Sequence, residues 1–475
     1  MKAALVRRML AAMIALGAVS QGAARKPDGV LVLQITDAGT DESVPARIEL
    51  TDARGRSVRT RGWGLAALGA HAYLPPAATL GLRRGAYRFS IDAGPEYRTQ
   101  RGHFQIDRHA EDAKAVPMRR FAHMADEGWI GVDLQHARDA DGLELVRRVE
   151  RVAGDARLTH RWNGDGWEAL ADVGLVVAHY TGERGSAWLY STDAKLSAEE
   201  LPDLSRSVAT PLAGASAAGW RVVADPTSAE LPVWLASECV DALWLIDGAS
   251  PNDYDAGVER MKAYYEVLNA GVRVPPLGGS GSGLPLGEPP RRRTAVMTRP
   301  LGDGRTWLRG VDEDESIDHW ATIQLGQTVV SNGPLLRPTA NGRWPGATLP
   351  DSTDALIGLN LATRAPVEYL EIIADGEKAL TVPLRDWAAR GGRLPALPLA
   401  GRTWFVVRAV TVAEDRLQMA HSGPWYVDTP NGPPAAEDVR PMLRRLADAA
   451  ARFGAADPEA YQAAKAFWTA RNGGG

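Results

Sequence analysis

Short apolar runs follow one another from Trp129 to Gly279, with polar or amphipathic segments between them. The runs are Trp129–Leu134, Ala156–Trp162, Val173–Tyr180, Trp220–Asp225, Asp241–Asp247 and Val272–Gly279. Each has the length of a strand, and several stop at a charged residue. Helical spacing fills gaps between them. In Asp253–Gly271, Val258, Met261, Tyr265 and Leu268 share one face, and Gly271 offers a C-cap. In Asp141–Gly154 the apolar positions are Leu143, Val146, Val149 or Glu150, and Ala153. Alternation of this kind predicts an α/β fold with a parallel sheet, open or closed into a barrel. In either arrangement the chemistry belongs at the C-terminal ends of the strands.

The flanks read differently. Residues 27–120 carry short alternating runs bounded by Gly, Asp and Pro, which predicts a small β-sandwich. The α/β segment occupies 121–332, a second β-sandwich 333–430, and amphipathic helices with a frayed tail 431–475. The second of those helices has Asp457 as N-cap and Pro458 at its first position. Residues 1–26 combine basic Lys2, Arg7 and Arg8 with the short apolar run Met9–Val19 and small residues after it, the pattern of a cleaved signal peptide. That run is too short to span a bilayer, so no transmembrane segment is expected after cleavage and the mature chain is expected to be secreted or periplasmic. A net charge of −4 with no long basic run argues against nucleic acid as a partner. The single cysteine, Cys239, has no internal disulfide partner and reads as a buried packing residue.

The strand ends supply the candidate site. Asp133, Asp225 and Asp247 each close an apolar run, and Glu183 follows another after a Gly turn. Together they predict one acidic, polar mouth suited to a divalent cation or to acid/base work. Gln135, His136, His160 and His179 stand near the same ends as possible pocket residues, and Asp133 has a second reading as a carboxylate held by loop amides. Because carboxylates prefer hard cations, Mg, Mn or Ca fits such a site better than Zn; a site without any metal is the alternative. Clustered carboxylates repel one another, and Arg161 or Arg184 would relieve the repulsion; otherwise neutralising Asp133 would stabilise the fold. Pro276–Gly287 is a Gly/Ser-rich loop that reads first as a plain flexible connection; its amides could also cradle an anion, but it lacks the phosphate-loop Gly-Lys-[Ser/Thr] pattern. There are 15 Trp against 6 Phe, an excess that fills the core for the most part; Trp162, Trp167 and Trp188 are the candidates to line a glycan pocket at the mouth.

The order of these pieces resembles the CehA/McbA-type metallohydrolases of the PHP (polymerase and histidinol phosphatase) superfamily. The resemblance rests most on "LPVWLAS" (231–237) and "VVSNGPLLRPTANG" (329–342), and covers the chain to about Asp428. It implies a distorted (β/α)7 barrel flanked by two small Ig- or transthyretin-like β domains, and a metal-dependent hydrolase of phosphoesters, esters or carbamates. It also implies where metal ligands should stand. The family's Gly-Asp-Leu-His-x-His reads Val132-Asp133-Leu134-Gln135-His136-Ala137, so the Asp remains and both motif histidines are replaced. The glutamate after the third strand matches Glu183, and the family's Ala-His-Pro reads Ala224-Asp225-Pro226. The late Gly-Ser-Asp-x-His segment reads as a Gly/Ser run without a ligand. Two functions follow: a hydrolase with a minimal metal site on Asp133, Glu183 and Asp225, or a binding protein for a small-molecule, glycan or protein ligand that has lost its metal.

Overall fold

The computed structural model describes residues 27–472, apart from 59–66, 69–70, 138–141, 155, 172–174, 193–195, 249–253, 285–298, 311–318, 412–416 and 429–437. The expected signal peptide lies outside the described residues. The fold is mixed α/β, and the chain divides into two compact units. The smaller comprises residues up to Asp92 together with Thr99–Met118, and the larger Ala93–Arg98 with Arg119–Gly475.

The smaller unit is all-β among its described residues. Gly29–Asp37 alternates buried and partly exposed positions along most of its length, as a strand with one face on a core must. It pairs antiparallel with Ala77–Leu82 and parallel with Glu111–Met118. A second, five-stranded antiparallel sheet runs in the order Ala67–Leu68, His71–Leu74, Ala46–Asp52, Gly85–Asp92, Gln100–Ile106. Its inward Ile48, Leu50, Ala72, Leu74 and Ile91 are almost wholly buried.

In the larger unit a seven-stranded sheet runs Trp167–Ala169, His160–Trp162, Val177–Gly182, Gly185–Tyr190, Arg221–Ala224, Ala242–Ile246, Pro276–Gly278. The sheet is mixed, whereas the alternation predicts a parallel one. His160–Trp162 with Val177–Gly182, and the last two neighbouring pairs, are parallel; the other pairs are antiparallel. The physical reason is local: Glu183 and Arg184 form a tight turn, so the chain returns as a hairpin where a helical crossover was expected. Trp129–Val132 is not a member of this sheet. Beyond its end, His136 makes isolated bridges to Arg157, which precedes His160–Trp162, and to Ser282, which follows Pro276–Gly278.

Trp129–Val132 belongs instead to a nine-stranded assembly. It pairs antiparallel with Arg305–Arg309, which pairs with Thr328–Ser331, then Met419–Ser422 and Trp404–Thr411. Hydrogen bonding therefore continues across Asn332, the border read from the sequence, and both units of the expected organisation beyond Arg120 share one sheet. Local patterning cannot reveal this, because the paired strands are far apart in sequence.

Helices cover the sheet. Leu143–Glu150 buries Leu143, Val146, Val149 and Glu150, the face expected, and ends at Arg151 in a left-handed conformation. Tyr254–Asn269 buries Met261, Tyr265 and Leu268, and Gly271 closes it at φ 76° with its amide on the Leu268 carbonyl. The terminal helices Arg440–Phe453 and Pro458–Asn472 pack on Leu231–Ala236, joining Met442, Leu446, Trp468 and Trp234 in one core. Trp468 donates to the Pro232 carbonyl at 2.9 Å and Tyr461 to Glu230 at 2.6 Å. Asp457 accepts from Ser207 and from the Thr210 amide, tying the start of the last helix to the start of Ala209–Ala217. Cys239 is buried, as expected, with its thiol on the Trp234 carbonyl and its pKa pushed up to about 12 by burial. No helix among the described residues is long and apolar enough to cross a membrane.

Candidate functional site

The strand ends converge as the sequence predicts, with one exception. Asp133, Gln135, Asp225 and Asp247 are all buried and are joined in one network. Asp133 follows Trp129–Val132. Its Oδ1 accepts from the amides of Gln135 and Ser280, both at 3.1 Å, and its Oδ2 from the amide of Gly302 at 2.7 Å. The Gly/Ser loop contributes one of these amides, from Ser280; the other two come from Gln135 and Gly302, so the charge of Asp133 is met by three separate segments. The composition of that loop follows from how close its backbone comes to its neighbours. A Cβ on Gly279 would stand 2.3 Å from Gln135 Cβ, and one on Gly248 2.0 Å from the Ser280 carbonyl carbon.

Gln135, standing where the family motif has a histidine, is a structural clamp. Its Nε2 donates to Asp247 Oδ1 at 2.6 Å, and its Oε1 accepts from the Gly248 amide at 2.8 Å. Asp247 also faces Arg260, whose Nη2 lies 3.5 Å from Oδ2. The same guanidinium reaches Asp225 Oδ2 at 3.3 Å, while Asp225 Oδ1 accepts from the Thr227 amide at 2.8 Å and hydroxyl at 2.7 Å. Arg260 is itself only 4% exposed, so a buried cation sits between two buried carboxylates.

Arg260 is the residue the sequence reading overlooked. Arg161 and Arg184 were expected to neutralise the mouth, but Arg161 pairs with Glu168 at 2.7 Å and Arg184 with Glu230 at 2.6 Å. The signal was present: Arg260 lies in the stripe Gly257, Arg260, Tyr264, Leu268 on the buried face of its helix. An arginine there must be paired, since an unpaired buried charge is very costly.

Glu183 departs from the expectation. It is exposed in the hairpin turn and has no part in the network around Asp133. The histidines line other parts of the same strand ends. His179 stacks on Trp188 with centroids 4.4 Å apart, and its Nε2 meets Ser186 Oγ at 3.0 Å. Burial lowers its pKa to about 4; the nearby Asp247 opposes that shift and Arg161 adds to it. His160 meets Thr159 Oγ1 through Nδ1 at 2.9 Å, and burial lowers its pKa also. The same Thr159 hydroxyl lies 2.9 Å from the Val177 carbonyl and accepts from the Val177 amide at 3.0 Å. His136 is buried, and its main chain is laced to Leu158 on one side while the next amide, of Ala137, donates to the Ser282 carbonyl. Tyr190 donates to the Leu134 carbonyl at 2.7 Å beneath the network; burial first, then Asp133 and Asp247, raises its pKa well above the usual value.

The expected tryptophan lining is not a lining. Trp162 and Trp188 are core residues, and Trp167 packs edge-on against Trp162 with its N–H on the Pro202 carbonyl.

These contacts decide how well the residues suit the metal cage that the resemblance implies. A divalent ion needs several oxygens free to turn toward it. Here both oxygens of Asp133 are taken by amides, both of Asp225 and Asp247 are engaged, and a guanidinium occupies the space between the last two. Among the described residues no group of three or more His, Cys, Asp or Glu is placed to hold a metal ion. The donor set does not fit a multi-metal cage. Neutralising Asp133 is also not a relief of strain, because three amides point at its charge.

No protein-family model and no curated protein matches the sequence. One solved structure, described as "The Bacillus anthracis TIE protein", is similar over 24% of this chain and 20% of that chain, at 18% identity and a TM-score of 0.16. A similarity of that extent carries no argument about fold or function.

Proposed function

We propose that this chain is an exported, PHP-like protein of the CehA/McbA type that has given up metal-dependent hydrolysis and acts by binding. In this reading a distorted (β/α)7-type barrel is flanked by two small β-sandwich domains. The double bridge at His136, which links the end of the first strand to both Arg157 and Ser282, supports the barrel. The observation that carries the loss of chemistry is Arg260, a fixed monovalent cation between Asp247 and Asp225, the latter one of the three positions that the family resemblance assigns to a metal ion. Gln135 is the second support: both ends of its amide are committed to Asp247 and Gly248, a positioning task in place of the histidine that the family motif has there.

The test is metal content of the purified mature protein, measured with a screen against phosphoesters, esters and carbamates. The expected result is no stoichiometric metal and no turnover. A hydrolase with a minimal site would instead retain Mg, Mn or Ca, and both metal and turnover would fall together in Asp133→Asn and Asp225→Asn. Export is tested by the N-terminus of protein recovered from its native host, expected between about Gln21 and Lys26; an intact Met1 would overturn it.

A further inference from the structure

An open cleft of about 540 Å³ lies in the larger unit, lined by none of the residues of the acidic network. Its volume falls within the range of about 300–1,000 Å³ typical of small-molecule sites. The floor is one face of a two-stranded antiparallel sheet, Leu335–Ala340 with Ile357–Ala362. Arg337 and Thr339 point to the same face, two residues apart; Arg337 stands opposite Asn360, and Thr339 opposite Gly358. Gly358 leaves the floor bare beside Thr339.

Indoles form the walls. Trp129 and Trp344 meet edge to face with centroids 5.6 Å apart, and Arg309 lies 4.5 Å from the Trp344 ring centroid. Arg309 is anchored in turn to the Gly128 carbonyl at 3.1 Å. Trp344 is therefore held before any ligand arrives, which lowers the ordering cost of binding. Trp387 contributes from the short helix Leu384–Ala389, and Gly391 and Gly392 take left-handed conformations (φ 65° and 81°) to bring Arg393 to the cleft.

The polar groups state what the cleft can hold. Glu127 and Arg337 pair at 2.7 Å, placing an acceptor and a donor side by side. Arg393 is exposed, and among the described residues it has no carboxylate partner, so the cleft keeps one surplus positive charge. Flat apolar faces beside paired donors and acceptors suit a ring with C–H faces and hydroxyl edges; a surplus guanidinium suits a carboxylate on that ring.

We propose that this cleft binds a short acidic saccharide, with sugar faces against Trp344 and Trp387 and a uronate carboxylate at Arg393. The proposal names the ligand and surface for the binding role proposed above. It uses none of the residues of the acidic network, so hydrolytic activity would overturn that reading and leave this one standing.

The experiment is titration calorimetry of the full mature protein with oligogalacturonate and, separately, a cello-oligosaccharide of equal length. Trp344→Ala, Trp387→Ala and Arg393→Glu are compared, each checked for an unchanged unfolding transition. Oligogalacturonate is expected to bind, with losses of about tenfold or more in affinity for each tryptophan variant, as for a central aromatic anchor. Arg393→Glu is expected to weaken oligogalacturonate by a similar factor and to leave the neutral sugar unchanged. Binding of the neutral sugar alone, or of oligogalacturonate with equal affinity in Arg393→Glu, overturns the acidic assignment. No binding of either sugar, or binding unaffected by Trp387→Ala and Arg393→Glu, overturns the site. Trp387 and Arg393 lie at the rim, so these two variants keep the test decisive if Trp344→Ala unfolds.

Discussion

The acidic network and the indole cleft carry similar kinds of side chain and put them to opposite uses. In the network Asp133, Asp225, Asp247, Gln135 and Arg260 are buried and bonded to one another or to backbone amides. In the cleft Asn360 and Arg393 are exposed, and Trp344 and Trp387 keep part of their surface toward solvent. The network lies where the charged strand ends point; one strand of the cleft's floor lies within the stretch 329–342, whose sequence announces no site. A motif records where chemistry can be mounted, but whether a polar group remains available depends on what its neighbours have already taken.

The sharpest way to break this contrast is Arg260→Met. If the network is held by its guanidinium, the variant strands Asp225 and Asp247 in the interior and should cost about 3–5 kcal/mol in denaturant unfolding. Replacing both partners' charges as well, in Asp225→Asn/Asp247→Asn/Arg260→Met, should restore much of that loss, because the penalty is for an uncompensated charge. A single variant as stable as the parent would mean that the network does not hold the mouth closed.

Asp133→Asn comes next, at about 1.5–3 kcal/mol of destabilisation, because the amides of Gln135, Ser280 and Gly302 lose a charged acceptor. Thermal unfolding distinguishes this from like-charge relief, which predicts the opposite sign.

Acid should act on the buried histidines of the interior. His179 and His421 have folded-state pKa values near 4 and 3, below the ordinary 6.5; burial is the first cause in both, and Arg408 adds to it for His421. His421 is held between the Tyr265 hydroxyl at 2.9 Å and the Ser422 carbonyl at 2.7 Å. The unfolded chain takes up these protons more readily than the folded one. The stability they contribute is therefore complete above about pH 6.5 and is lost as pH falls toward 4 for His179 and toward 3 for His421. Chemical denaturation at about pH 7 and about pH 4.5 should show the decline, and His421→Phe should flatten it.

The smallest effect belongs to the rim of the cleft. Arg393→Glu should change folding stability by no more than about 0.5 kcal/mol, as exposed substitutions do. A large loss in denaturant unfolding would mark Arg393 as a structural residue and would blur the contrast.

The helices were legible because their apolar residues recur at helical spacing within a few turns: Leu143, Val146 and Val149 in one, Met261, Tyr265 and Leu268 in the other. So were the strand ends at Asp133, Asp225 and Asp247, since an apolar run that stops at a carboxylate marks where the chain leaves the core. The reading of Asp133 as an anion held by loop amides was also available, and it is the one realised. Burial of most tryptophans follows from their hydrophobic area, but which ones stay open does not. Trp162 and Trp188 went to the core while Trp344 and Trp387 line the cleft.

What the tertiary structure alone decided depends on partners distant in the chain. The amide on Asp133 Oδ2 comes from Gly302, the clamp on Gln135 from Asp247, and the countercharge from Arg260. Trp129–Val132 finds its strand partner in Arg305–Arg309, and Thr328–Ser331 carries the same sheet on toward Met419–Ser422. Periodicity and capping act over a few residues, so the sequence by itself determined helices, strand ends and the residues able to carry charge. Hydrogen-bond saturation and sheet pairing are set by which distant segments meet, and only the folded chain states whether a carboxylate is available or already bound.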